Sequence, residues 1–220
     1  MFSKDALKGQ RILVTGGGSG LGKEMSRHFL KFGSEVVICG RRESVLEDTA
    51  KELSDETGGV ITYFPLDIRD SMAIEASVEE LFDEKPLTGL VNNAAGNFIS
   101  RTKDLSPNGF NAIASIVFHG TFYITNAVGK RWIENKQKGS IISILATWVW
   151  TGSPFVIPSA MSKSGINAMT KSLAVEWGQY GIRLNAIAPG PFPTEGAWSR
   201  LMPQTGDTKK DEKVTSQYMN

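Results

Sequence analysis

The chain has 220 residues, 40% of them hydrophobic, and its formal net charge at pH 7 is +1. That length suits one large α/β domain, and the interspersed charges exclude the surface of a nucleic-acid-binding or membrane-binding protein. Two histidines and one cysteine, none clustered, exclude a metal site of imidazole or thiolate ligands. A polar stretch at 1–9 and the lack of an apolar run of about 18 residues predict an unexported, cytoplasmic protein.

The amino-terminal part of the chain shows an apolar run, a glycine-rich turn and a helical pattern. Residues 12–14 (ILV) precede 15–22 (TGGGSGLG), and Leu21, Met25 and Phe29 then recur every four residues. Backbone N–H groups of such a turn, at the positive end of a helix dipole, can hold a phosphate that glycine lets approach closely. Many tight strand-to-helix turns bind nothing, so this segment alone leaves both interpretations open.

The rest of the chain alternates buried-strand runs with amphipathic patterns. Further strands are predicted at 35–40, 60–64, 87–91, 140–145 and 182–187. Helices are predicted at about 43–56, at 71–84 with Ser71 as cap, along a stripe from Phe110 to Val128, and from Ile166 to Trp177. Short loops throughout predict an α/β fold with a doubly wound parallel sheet in three layers, and ligands at the carboxyl ends of the strands.

Five motifs in order along nearly the whole chain resemble the short-chain dehydrogenase/reductase family. They are the loop 15–22, Asp67 after the third strand, 92–96 (NNAAG), Lys163 on a helix after the fifth strand, and 189–190 (PG) after the sixth. Within the family the chain is most similar to the mitochondrial and bacterial 2,4-dienoyl-CoA reductases. That similarity is carried by 92–100 (NNAAGNFIS), 158–163 (PSAMSK), 173–178 (LAVEWG) and 189–201 (PGPFPTEGAWSRL).

The resemblance implies a Rossmann-type NADP-binding domain over 1–195. Residues 196–220 are then a substrate lid or a mobile tail of the same domain, and their charge run favours the tail. Family members continue with a further helix and edge strand, so the chain is expected to lack the family's last strand and helix. The full-length chain is expected to form a homotetramer, in the mitochondrial matrix if a targeting segment has been removed.

The cofactor is predicted from charge as well as from resemblance. NAD-binding units place an acidic residue about 20 residues past the glycines to bond the ribose hydroxyl. Arg41 and Arg42 stand there instead, and guanidinium groups suit the 2′-phosphate of NADPH. Alternatively, both arginines are solvated residues at the start of a helix, where the positive end of the helix dipole disfavours their charge. The resemblance implies cofactor contacts at Thr15, Gly16, Gly18, Ser19, Gly20, Leu21, Asp67, Asn93, Ala94, Lys163, Pro189, Gly190, Phe192 and Thr194.

The catalytic positions depart from the family pattern. Most members use Tyr-x-x-x-Lys, but four residues before Lys163 stands Ser159, as in dienoyl-CoA reductases, which move a tyrosine to fifteen residues before the lysine. That position is Trp148 here. An indole N–H can donate to an enolate oxygen but cannot release its proton at neutral pH, so Trp148 either stabilises charge or packs in the acyl pocket. Lys163 is predicted to bind the cofactor ribose rather than lie on the surface.

Two further positions deviate from the family. Its usual serine falls on Ala146, and its usual helix asparagine falls on His119. His119 is either a packed helix residue or, at the active-site floor where the resemblance places it, a proton relay. The resemblance also implies that Asn97 and Ser159 orient the substrate thioester.

An acyl-CoA substrate follows from the same resemblance. The positions that match its CoA and acyl contacts are Arg69, Phe98, Ser106 and Arg200. The expected activity is NADPH-dependent reduction of 2,4-dienoyl-CoA thioesters in fatty-acid β-oxidation. A carbonyl or 3-oxoacyl reductase is an alternative, although ketone reduction needs a proton that Ser159 cannot give as a phenol does. A nucleotide-binding protein without turnover is the second alternative, favoured by the deviating positions.

Overall fold

The computed structural model describes residues 3–190 and residue 192. Its strands are β1 (Arg11–Thr15), β2 (Glu35–Gly40), β3 (Ile61–Pro65), β4 (Gly89–Asn92), β5 (Gly139–Ile144) and β6 (Ile182–Ile187). Its helices are α1 (Gly20–Lys31), α2 (Glu43–Thr57), α3 (Ser71–Glu84), α4 (Pro107–Ala114), α5 (Gly120–Glu134), α6 (Trp148–Thr151) and α7 (Ile157–Gly178). The predicted tail or lid, 196–220, lies outside the described residues.

The six described strands form one parallel sheet in the order β3-β2-β1-β4-β5-β6. Leu13 of β1 is in register with Val37 of β2 on one side and with Leu90 of β4 on the other. The winding direction therefore reverses between β1 and β4, and the crevice beyond the carboxyl ends of these strands is where such sheets bind ligands. The predicted Rossmann-type α/β fold is confirmed.

Helices cover both faces of the sheet. On one face, α1 and α2 pack against β1 and β2 through Leu30, Leu46 and Leu53. On the other, α3 and α5 contribute Ile74 and Ile124 to the larger hydrophobic cluster. Strand side chains point to both faces in turn, and both faces are buried, which explains why the strands are continuously apolar in sequence. The arrangement is the predicted three-layer α/β/α architecture.

β6 forms one edge of this sheet within the described part of the chain. It pairs with β5 alone, and Ile182 and Leu184 are buried beneath α7. The alternate side chains Arg183, Asn185 and Ile187 are exposed. Among residues 3–190 and 192, no strand or helix follows β6 to cover that face or edge.

The cap of α3 differs from the prediction. Asp70, and not Ser71, is the N-cap: its Oδ1 accepts hydrogen bonds from the backbone N–H groups of Met72 and Ala73, each at 3.0 Å. Ser71 is already the first helical residue. A carboxylate at this position satisfies two N–H groups that the helix leaves free, and its charge complements the helix dipole.

The predicted long helix is interrupted by a π-helical turn. α4 and α5 are joined through Ser115–His119 without a break in the chain's helical path. Ile113, Val117, Ile124 and Val128 form the predicted buried stripe along it. By length and composition, 107–134 could span a membrane, but 56% of its most apolar window is buried inside the fold, where α5 packs against α3 and the sheet.

Candidate active site

Side chains join the ends of β1 and β4 at the point where the sheet reverses. Thr15 Oγ1 accepts hydrogen bonds from the backbone N–H groups of Asn93 and Ala94, each at 3.0 Å. Asn93 Nδ2 donates to the carbonyl oxygens of Thr15 at 3.0 Å and of Gly16 at 3.3 Å. Thr15 and Asn93, both predicted as cofactor contacts, therefore hold the glycine loop against the turn that follows β4.

The glycine loop has no room for side chains on its inner side. Gly16 has a φ of +66°, and a Cβ there would lie 3.1 Å from Ala94 Cα. A Cβ at Gly22 would lie 2.6 Å from Asn93 Nδ2. α1 begins within this loop, at Gly20, and has no acidic residue in its first turn. The exposed backbone and the unopposed positive end of the helix dipole fit the pyrophosphate of a dinucleotide.

A cavity of about 1020 Å³ extends along the carboxyl ends of the strands. Most of the predicted cofactor and catalytic residues line it together, although they come from seven separate segments of the chain. They are Thr15, Gly16, Gly18, Ser19, Gly20, Leu21, Arg41, Arg42, Asp67, Asn93, Ala94, Asn97, Trp148, Ser159, Lys163, Pro189, Gly190 and Phe192.

One end of the cavity is cationic. Arg41 and Arg42 follow β2 and are exposed, and neither forms an ion pair with a carboxylate among residues 3–190 and 192. Asp67 is already paired: Arg69 Nε donates to its Oδ1 at 2.9 Å, and this hydrogen bond holds the pKa of Asp67 below its usual value. The two unpaired guanidiniums are available to an anionic ligand.

Lys163 is buried on α7 beside the end of β5. Its Nζ donates a hydrogen bond to the carbonyl oxygen of Ile144. Burial lowers the pKa of Lys163 to about 8, and within the described chain no carboxylate offsets that effect. The ammonium therefore points from the helix to the strand end that borders the cavity.

Three side chains with unused donors line the same cavity. Asn97 Nδ2 is buried without a hydrogen-bond partner. Neither Ser159 Oγ nor Trp148 Nε1 has a hydrogen-bond partner in the described part of the chain, although Ser159 is only 4% exposed. A buried donor left unpaired is costly, so donors gathered at a cavity indicate a ligand with an acceptor. Ala146 lines this region without adding a polar group.

His119 is not brought to the cavity. It is exposed at the end of the π-helical turn, and its ring is tilted against those of Phe118 and Tyr123, with ring centroids 5.6 Å and 6.2 Å away. From this turn, Ile116 lines the cavity instead. The geometry places the imidazole in an aromatic contact on the helix surface, which does not support a proton relay.

Three predicted substrate contacts also lie away from the cavity lining. Phe98 packs in the hydrophobic cluster of Ile113 and Val117, and Ser106 caps α4 by accepting a hydrogen bond from the Gly109 N–H at 3.1 Å. Arg69 is held by Asp67, as described above. The two remaining predictions, Thr194 and Arg200, fall on residues outside the described part of the chain.

Several lining residues were not predicted from the sequence. Ile99, Ile116 and Phe155 line the cavity, and the short helix α6 carries Trp148 to it. Phe155 follows Ser153-Pro154 in a turn-rich segment, which is the one local signal that the chain between β5 and α7 departs from regular structure. No cluster of metal-ligating side chains occurs in the part of the chain that the structure describes.

The comparison with known families matches the chain to one family model. Residues 10–204 match the model described as short chain dehydrogenase. That segment includes all six strands and every cavity-lining element described above.

Named relatives and solved structures agree with that match. The chain is 48% identical over 199 residues to "Probable 2,4-dienoyl-CoA reductase 3" of Caenorhabditis elegans, covering 89% of this chain and 64% of that relative. It is 40% identical to "Probable 2,4-dienoyl-CoA reductase" of Bacillus subtilis, covering 95% of this chain and 80% of that relative. A short chain dehydrogenase structure from Bacillus anthracis is similar at a TM-score of 0.81 and 47% identity, covering 84% of this chain and 75% of that one.

Proposed function

The chain belongs to the short-chain dehydrogenase family, and on that premise we propose that it is an NADPH-dependent reductase of 2,4-dienoyl-CoA thioesters in fatty-acid β-oxidation. One observation carries the proposal: Asn97 Nδ2 is buried without a hydrogen-bond partner, and Asn97 lines the same cavity as Ser159, Trp148, the glycine loop and Lys163. The chain spans 64% of the first nematode relative's length, so its activity and substrate remain proposals.

The cofactor would lie along the strand ends. The glycine loop and the start of α1 would hold its pyrophosphate, Arg41 and Arg42 its 2′-phosphate, and Lys163 its nicotinamide ribose. When bound, NADPH supplies a hydride. The lack of an acidic residue at the Arg41-Arg42 position favours NADPH over NADH, because a guanidinium binds a phosphate more strongly than a hydroxyl.

The substrate's thioester oxygen is the acceptor that the free donors fit. Asn97 Nδ2, Ser159 Oγ and Trp148 Nε1 would hydrogen-bond it and stabilise the negative charge that develops there during reduction. None of the three can release a proton at neutral pH. The proton that completes the reaction would come from solvent water and is added to carbon, so this site needs charge stabilisation more than it needs the phenol of a ketone reductase.

The test is stopped-flow loss of NADPH absorbance with 2,4-decadienoyl-CoA. We expect turnover with the dienoyl thioester, little with NADH and none with a 3-oxoacyl-CoA. Asn97→Ala, Ser159→Ala and Trp148→Phe should each lower kcat by about 10- to 100-fold, since each removes a donor to the developing charge. His119→Ala should retain activity. A loss of kcat as large as that of Asn97→Ala would support His119 as a proton relay.

A second candidate is a nucleotide-binding protein without turnover. It is favoured by the absence of tyrosine from the cavity lining within residues 3–190 and 192. Calorimetric binding of NADPH with no oxidation on any substrate would establish this candidate and exclude the reductase.

The predicted homotetramer and the cytoplasmic or mitochondrial location stay proposals. Light scattering of the purified protein tests the homotetramer.

A further inference from the structure

The mouth of the cavity carries apolar side chains that the proposed chemistry does not use. Ile99 and Phe155 line the cavity, yet they are 43% and 49% exposed to solvent. We name this pair the apolar rim. The backbone N–H of Ser100 donates to the Phe155 carbonyl oxygen at 2.9 Å, which joins the loop after β4 to the loop before α7. Exposed apolar side chains joined at a cavity mouth indicate a surface that an apolar ligand covers.

Phe155 is held in an unfavourable backbone conformation. Its φ is +64°, and in the described chain the only other non-glycine residue with a positive φ is Lys136. The left-handed region is strained for a bulky aromatic residue, and such strain persists where the surroundings impose it, often at ligand sites. A glycine would adopt this turn without strain. The phenyl ring is therefore retained at a conformational cost.

The rim lies at the substrate end of the cavity. Ile99 is two residues after Asn97, and Phe155 is four residues before Ser159, so each half of the rim is close in sequence to a donor residue that lines the same cavity. The ionisable groups that line the cavity are Cys39, Arg41, Arg42, Asp67 and Lys163, which come from the cofactor-binding segments and α7. An apolar chain extending from the thioester carbons is the ligand that fits this rim.

We propose that Phe155, together with Ile99, covers the acyl chain of the substrate and makes the site select longer over shorter acyl groups. This inference rests on the proposed function for its ligand class. Covering each additional methylene increases affinity by up to about fourfold. The rim therefore makes affinity depend on the length of the acyl chain, while the donors bind the thioester that all substrates share.

The test measures binding, so that it does not depend on turnover. Titration calorimetry with the saturated decanoyl-CoA and hexanoyl-CoA, in the presence of NADP⁺, compares two ligands that differ by four methylenes. We expect the wild-type chain to bind decanoyl-CoA at least about tenfold more tightly, and Phe155→Ala to reduce that ratio to about threefold or less. Phe122→Ala is the matched control, because Phe122 is similarly exposed, at 46%, and does not line the cavity.

The outcomes separate this inference from the proposed reaction. If Phe155→Ala leaves the ratio of the two affinities unchanged, even where both affinities fall, the proposed role of the apolar rim is wrong. It is also wrong if the wild-type protein binds neither ligand. A chain-length preference that Phe155→Ala abolishes, in a protein that oxidises no NADPH, supports the rim and rejects the reductase. Phe155→Gly should lose the same preference while melting at a temperature no lower than that of Phe155→Ala, since glycine relieves the strain.

Discussion

At the scale of single residues, Lys163 combines a buried charge with a position in the cavity lining. Its pKa in the folded chain is about 8, against an ordinary value of 10.5. Between these values the unfolded chain holds a proton that the folded chain has released, so the free energy of unfolding rises with pH across that window. Below about pH 8 both states are protonated and the full cost of burying the charge is present.

We therefore expect the free energy of unfolding of the ligand-free protein to rise by up to about 3 kcal/mol between pH 8 and pH 10.5 because of this residue. Urea unfolding at several pH values, compared with Lys163→Met, measures the contribution. Methionine has no titrating group, so the free energy of unfolding of the wild-type chain should rise with pH relative to that of Lys163→Met. Parallel curves would show that the ammonium is solvated in the folded state.

Arg41 and Arg42 are the residues on which the proposed preference for NADPH rests. Because neither is paired with a carboxylate in the described chain, removing one leaves no orphaned partner. We expect Arg41→Ala and Arg42→Ala each to weaken NADPH binding by about tenfold or more and to leave NADH binding within about twofold. Fluorescence titration of both dinucleotides tests this, with Arg183→Ala as the control, because Arg183 is exposed on β6 and does not line the cavity. An equal loss for both dinucleotides would contradict the assignment.

At the scale of secondary-structure elements, one residue determines how α3 begins. Asp70 accepts two backbone hydrogen bonds and Ser71 accepts none. Asp70→Ala should lower the free energy of unfolding by about 1 kcal/mol, whereas Ser71→Ala should change it by less than about 0.5 kcal/mol. Chemical denaturation of the two neighbouring variants decides between them, and the reverse order would make Ser71 the cap.

The glycine loop offers a second matched pair at this scale. Gly16 and Gly58 have almost the same φ, +66° and +67°, but a Cβ at Gly58 meets nothing within 4 Å. Both alanine variants should lose about 1 kcal/mol of stability through backbone strain. Only Gly16→Ala should also abolish NADPH binding, because its Cβ would occupy the inner side of the loop. If Gly58→Ala impaired NADPH binding as much as Gly16→Ala, the effect would not be specific to the glycine loop.

At the scale of the whole molecule, the two halves of the sheet meet through Thr15. Its hydroxyl oxygen accepts hydrogen bonds from the backbone N–H groups of Asn93 and Ala94. The same hydroxyl donates to the carbonyl oxygen of Val91 at 3.3 Å. Thr15→Val keeps the shape but leaves two N–H groups unpaired, so we expect a loss of about 2 kcal/mol and weakened NADPH binding. Thr15→Ser retains the hydroxyl and should restore both. Equal behaviour of the two variants in unfolding and binding would refute this role.

The sequence by itself determined the parallel sheet, the glycine turn and the cationic end of the cavity. These follow from local patterns: continuous apolar runs mark strands buried on both faces, glycines mark close backbone approach, and two arginines stand directly after β2. For the same reason the predicted strands at 35–40 and 182–187 match the observed bounds.

Only the tertiary structure decided which side chains reach the cavity. His119 and Phe98 lie near the expected positions in the chain, yet the π-helical turn leaves His119 on the surface, and Phe98 packs partly buried against a hydrophobic cluster. Phe155 reaches the cavity because a long-range hydrogen bond holds a strained turn. Side-chain direction at such places depends on contacts between distant segments, and local sequence does not encode those contacts.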